Sequence, residues 1–142
     1  MTAMEKALFG AVLVQILLTF VLYGLLVSRR FAAARDPETD RKRLAYDQTA
    51  WPIKARQASN AVVSQFEAPT LFFVGALFAF HFGRADIILA VLGWLFVLFR
   101  IAHAAIHVGP NVVMQRFAVF LASFAALAAF WIWLALRVFI VG

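Results

Sequence analysis

Two groups of polar side chains stand inside long apolar stretches of this chain. The first is Arg56, Asn60, Ser64 and Glu67, at offsets of four, eight and eleven. On a helix those offsets fall on one narrow face. The second is Arg100, His103 and His107, which also share a face, with Asn111 and Arg116 close behind. Ionisable groups at membrane depth are expensive, so they face a bundle interior or a wet cavity and are functional candidates by default. Together they offer guanidinium donors, two imidazoles, a carboxylate, an amide and a hydroxyl. His103 and His107 at a spacing of four, with Glu67, would make a two-histidine, one-carboxylate metal set. No second acidic or histidine cluster supports that set, so no metal is expected.

Each residue also has a plainer reading. Arg56 and Arg116 can be interfacial anchors that snorkel toward phosphates. Glu67 and Arg100 can be a structural ion pair between helices. Asn60 and Ser64 can be interhelical glue, and His81 an interfacial residue. It is the convergence of the two stripes that points to a site.

The elements that position these residues follow from composition. The 142 residues are 65% hydrophobic and 14% charged, against about half and a quarter in a soluble domain. A chain this short cannot hide so much apolar surface in one core, so lipid is its solvent. Four spans are expected: about 7–28, 52–83, 87–108 and 113–139. The first is an uncharged run of the length that crosses about 30 Å of hydrocarbon; it is read as a retained helix, since Arg29 and Arg30 separate it from the small residues a signal peptidase would need. The second is longer than the membrane is thick and carries Pro69 as an expected kink. The third ends at Gly109-Pro110, a cap followed by a residue that cannot continue the helix. The fourth carries Trp131, Trp133 and Arg137 near its end as interfacial anchors. The expected architecture is all-α, an integral membrane four-helix bundle in a single domain, 1–142.

Charge sets the orientation. Of the thirteen basic residues, eight (Arg29, Arg30, Arg35, Arg41, Lys42, Arg43, Lys54 and Arg56) lie between 29 and 56. Basic loops stay cytoplasmic, so both termini are expected on the non-cytoplasmic side and the two stripes in a pocket open to the cytoplasm. The net charge of +6 is therefore a topology signal, and no aromatic platform for nucleic acid accompanies it. The absence of cysteine excludes disulfides, thiolate metal sites and a cysteine nucleophile. No glycine-rich phosphate loop or serine-histidine-acid arrangement is present.

With these residues in view, the chain resembles the membrane-associated proteins in eicosanoid and glutathione metabolism (MAPEG). The likeness covers nearly the whole length: four spans, a long basic first loop, and Arg56-Gln57-Ala58-Ser59-Asn60 followed by Glu67 and Pro69. Glu67 follows Asn60 by seven residues, where better-known members have about three. The third span, with histidines at positions 103 and 107 where several eukaryotic members have tyrosines, looks more like a bacterial branch. The resemblance implies a homotrimer with sites between subunits, a bacterial inner-membrane location, and glutathione as co-substrate. It implies that Arg56 pairs a glutathione carboxylate, Asn60 its amides and Glu67 its amino group, with Ser64, His107 and Asn111 completing the binding set. Arg100, His103 and Arg116 are the catalytic candidates, since a thiolate needs a cation or donor aimed at sulfur. The implied second substrate is an apolar electrophile or lipid hydroperoxide entering from the bilayer. The competing classes are a non-enzymatic membrane scaffold and a lipid-binding accessory protein whose basic loop grips anionic headgroups.

Overall fold

The computed structural model describes residues 1–140, two short of the expected domain end at 142. Its helices in chain order are α1 (Ala3–Arg35), α2 (Arg41–Leu44), α3 (Ile53–Val63), α4 (Ala68–His81), α5 (Ile87–Val108) and α6 (Val113–Phe139), with single 3₁₀ turns at Gln48–Ala50 and Ser64–Phe66. Among the described residues four stretches are long and apolar enough to cross a membrane, α3 and α4 together forming one of them. The chain is an integral membrane helical bundle.

The third and fourth spans lie where the sequence puts them. The first does not stop at 28. It starts at a capping box, in which the Thr2 hydroxyl accepts from the Glu5 N–H at 3.1 Å and the Glu5 carboxylate accepts from the Thr2 N–H at 2.6 Å. It then runs seven residues past Ser28 to Arg35. The end of an apolar run is where lipid ends, whereas a helix ends where the backbone is broken. Ala32, Ala33 and Ala34 are the best of helix formers, and the break waits for Asp36, which is extended (φ −67°, ψ 122°) as a residue before proline prefers to be.

The second span is not one kinked helix over 52–83 but two helices. Pro69 has no N–H to give the Gln65 carbonyl, and its ring would clash with that group. The chain resolves this by tightening into the 3₁₀ turn at Ser64–Phe66 and breaking at Glu67 (φ −91°, ψ −104°), so that Pro69 enters the first turn of α4, where no N–H is needed. The Thr70 hydroxyl donates back to the Phe66 carbonyl at 2.8 Å.

Helix α5 is central, packing against α1, α3 and α6, while α4 lies against α6 and α1. Because lipid tails are as apolar as leucine, tight packing of small residues has to hold such a bundle. One apolar cluster, with Leu8, Ala11, Phe72, Ala76, Phe96 and Phe130, fills the end away from the basic loop. A second, with Leu22, Leu26, Ala58, Ala61, Val62 and Ala104, fills the basic end. Side chains press directly on glycines: a Cβ on Gly93 would meet Leu8 Cδ1 at 2.9 Å, and one on Gly75 would meet Phe130 Cε1 at 2.9 Å.

Between the two clusters lies a buried polar layer of Gln15, Ser64, Gln65 and Arg100. Gln15 Nε2 donates to Gln65 Oε1 at 2.9 Å, and Gln65 Nε2 donates to the Ala61 carbonyl at 3.0 Å. Toward the basic end, Arg29 reaches across the bundle and donates to the carbonyls of Lys54 and Val108, both at 2.8 Å. It thereby caps α5 and ties it to the start of α3. The α5–α6 turn closes with Asn111 at φ 52°, a backbone region that asparagine tolerates better than most side chains.

Candidate functional site

The break after α3 and the last two turns of α5 face the first turns of α6 across a cavity of about 500 Å³. Its polar wall is Asn60, Ser64 and Glu67 from the second span, His103 and His107 from α5, and Arg116 from α6. Its apolar wall is Val63, Val113, Met114, Phe117 and Phe120. The volume lies within the range of about 300–1,000 Å³ usual for small-molecule sites.

Proline chemistry positions the second-span residues. Were α3 continuous with α4, the Ser64 carbonyl would accept from the Ala68 N–H. At the break it accepts instead from Arg100 Nη2, at 2.8 Å, and the same Nη2 donates to Ser64 Oγ at 2.7 Å. Arg100 is 0% exposed. It stands behind Ser64 and is not part of the cavity wall. Its Nε and Nη1 find no acceptor, and among the described residues no ion pair reaches it. The Glu67–Arg100 ion pair is therefore not formed in this structure. A buried cation left with two idle donors is a costly arrangement.

The histidines are enclosed but reach the cavity. His103 is 6% and His107 8% exposed. Their rings are 5.6 Å apart and meet edge to face, with His103 also 6.1 Å from the Phe120 ring. Neither Nδ1 has a hydrogen-bond partner. Polar nitrogens buried without partners usually await a ligand or water. Among the described residues no group of three or more histidines and carboxylates is gathered closely enough to hold a metal ion. Arg116 Nη1 donates to Asn111 Oδ1 at 2.6 Å, so Asn111 acts on the cavity through Arg116.

Of the residues singled out from sequence, Asn60, Ser64, Glu67, His103, His107 and Arg116 are brought to one cavity, with Arg100 and Asn111 in direct contact with members of its wall. Arg56 is exposed at the outer end of α3 and is not on that wall. The sequence reading passed over Gln15 and Gln65, which support the break from the far side, and the apolar wall on α6. Gln15 carried a signal: it is the one amide in the uncharged run from Ala7 to Ser28. The α6 wall carried none, since apolar residues there look the same whether they face lipid or a cavity.

A family model described as the MAPEG family matches residues 8–136. No curated protein and no solved structure matches the chain significantly.

Proposed function

The chain belongs to the MAPEG family, and from that premise we propose that it is a membrane-bound, glutathione-dependent transferase or peroxidase acting on apolar electrophiles or lipid hydroperoxides. The observation that carries the reading is the two-sided cavity, mainly polar along the second span and α5 and mainly apolar along α6, where Arg116 is the one polar member of its wall. A thiol tripeptide and an apolar acceptor need two such walls around one reaction point.

The donors present fit glutathione. Asn60 offers an amide to its peptide groups, the exposed Glu67 carboxylate suits its amino group, and Arg116 suits a carboxylate. Arg56 meets the other carboxylate from outside the cavity mouth. His103, His107 and the Arg100–Ser64 pair stand where sulfur would lie, and a water-poor pocket strengthens every such contact. The second substrate enters past Val113, Met114 and Phe117, which are exposed. The basic end is cytoplasmic by the distribution of lysine and arginine, in a bacterial inner membrane with both termini on the other side. The working unit is a homotrimer, so that a neighbouring subunit closes the open side of the cavity.

Isothermal titration of the detergent-purified chain with reduced glutathione tests the reading. Saturable heat is expected with wild type, and at least about tenfold weaker binding in Asn60→Ala and Arg56→Ala, from the loss of about 1.4 kcal/mol of charge-assisted or amide hydrogen bonding in each. Wild-type protein that gives no heat, or variants that bind as wild type does, would refute it.

A further inference from the structure

We infer that Ser64 is a catalytic residue, its hydroxyl donating a hydrogen bond to the attacking sulfur, and that Arg100 is the positioning residue that makes it a donor. The inference rests on the glutathione reading above and assigns the sulfur's partner within it.

A guanidinium can only donate. In the 2.7 Å contact between Arg100 Nη2 and Ser64 Oγ, the serine oxygen is therefore the acceptor, and its single hydrogen is left to be given elsewhere. A serine within a helix commonly gives that hydrogen to the carbonyl four residues back. Ser64 does not: its hydroxyl donates to none of the described residues, and its side chain lines the cavity. An oxygen that accepts from a cation becomes a stronger donor through its own hydrogen, because hydrogen bonds in series polarise one another. The second bond, from the same Nη2 to the Ser64 carbonyl, fixes the residue at the helix break and removes the freedom to turn away.

Arg100 does not serve sulfur directly. It is fully enclosed and absent from the wall, and its charge has no carboxylate partner among the described residues. A negative sulfur bonded to the Ser64 hydroxyl lies one hydrogen-bonded group away from that charge. Arg116, which gives Nη1 to Asn111, is assigned above to a glutathione carboxylate, and neither Tyr23 nor Tyr46 lines the cavity.

The step balances as follows. The thiol proton passes to the His103 ring, which lines the same cavity, and sulfur keeps the bonding pair while accepting from the Ser64 hydroxyl. Sulfur then forms the S–C bond with the electrophile, whose leaving group departs with its own bonding pair. His103 releases the proton to water at the cavity mouth.

The test uses the full chain in detergent, with reduced glutathione as thiol and 1-chloro-2,4-dinitrobenzene as electrophile. Thiolate absorbance of the bound tripeptide is followed against pH, with glutathione affinity measured separately by calorimetry. Ser64→Ala is expected to move the thiolate midpoint up by at least about one pH unit. It should also lower kcat by about 100- to 1,000-fold, the scale for losing one preorganised donor, with glutathione KM changed less than about threefold. Ser64→Thr, which keeps the hydroxyl, should stay within about threefold of wild type. Arg100→Gln should mimic Ser64→Ala, and the double variant should fall no lower than the worse single, because one acts through the other. Wild type that binds no glutathione overturns both the function and this inference. Wild type that forms thiolate while Ser64→Ala gives the same midpoint and kcat overturns this inference alone, even if Arg100→Gln does not assemble.

Discussion

Gln15 and Gln65 bridge α1 to the broken second span at hydrocarbon depth, and replacing one of them should be worse than replacing both. In Gln65→Leu two side-chain bonds disappear: the one accepted from Gln15 at 2.9 Å and the one donated to Ala61 at 3.0 Å. The first crosses between helices, a kind that averages about 0.6 kcal/mol inside membrane proteins, and the second lies within the second span and is worth about 0.5 kcal/mol, so the bonds alone account for about 1 kcal/mol. Gln15 is 0% exposed and its Oε1 is already without a partner. Stripped of its last bond it becomes a bare amide among apolar side chains, a state worth about 1 kcal/mol or more. Gln65→Leu should thus destabilise by about 2 kcal/mol, and Gln15→Leu by about 1.5 kcal/mol, since it strands only the Gln65 oxygen. The double variant strands nothing but the Ala61 carbonyl, and should lie within about 1 kcal/mol of wild type, an interaction energy of about 2.5 kcal/mol. Unfolding in mixed micelles by a denaturing detergent, at one fixed protein concentration, measures all four proteins. If the single variants unfold with wild type, or the double variant loses the sum of the two, then the pair is not the connected polar layer drawn here.

Other expectations are simpler to state. Gly93→Ala places a methyl 2.9 Å from Leu8 Cδ1; overpacking of this kind costs about 1–3 kcal/mol, and combined with Leu8→Ala it should cost less than the two changes summed in the same unfolding assay. Asp47 lies in the loop between α2 and α3, where its carboxyl is lowered to about 2 by hydrogen bonds from the Thr49 side chain, the Arg43 side chain and the Thr49 N–H. A depressed carboxyl stabilises the loop above its ordinary value of 3.8, and that contribution is lost as pH falls through about 2. A carboxyl NMR titration should find the lowered midpoint, and one near 3.8 would show that the loop contacts do not persist. Because the chain has no cysteine, single cysteines report topology cleanly. In intact spheroplasts a membrane-impermeant maleimide should label Arg84→Cys but leave Lys42→Cys untouched until lysis, and the reverse pattern would invert the orientation.

The number and type of the elements were legible in the residues because lipid imposes a simple demand: about 20 apolar residues per crossing, with every backbone group paired inside its own helix. That demand is written along the chain, and the end of α5 can be read from Gly109 and Pro110. The true end of α1 was obscured because hydropathy marks the membrane edge, while Ala32–Ala34 carry the helix on to the residue before Pro37. Pro69 announced a disturbance in the second span. Whether it made a kink or a break depended on Arg100, distant in sequence, supplying the bond that Ser64 loses, and on Gln15 supporting Gln65 across fifty positions. Periodicity puts Arg100 on a face with His103 and His107. It could not tell a side chain on the cavity wall from one standing behind it, since that depends on which helix lies opposite and how closely. The residues therefore carried the bundle and most of the polar groups that the cavity gathers. Tertiary packing alone decided which donors are occupied and which remain free, because a hydrogen bond between helices is fixed by distances in space that no spacing along one helix encodes.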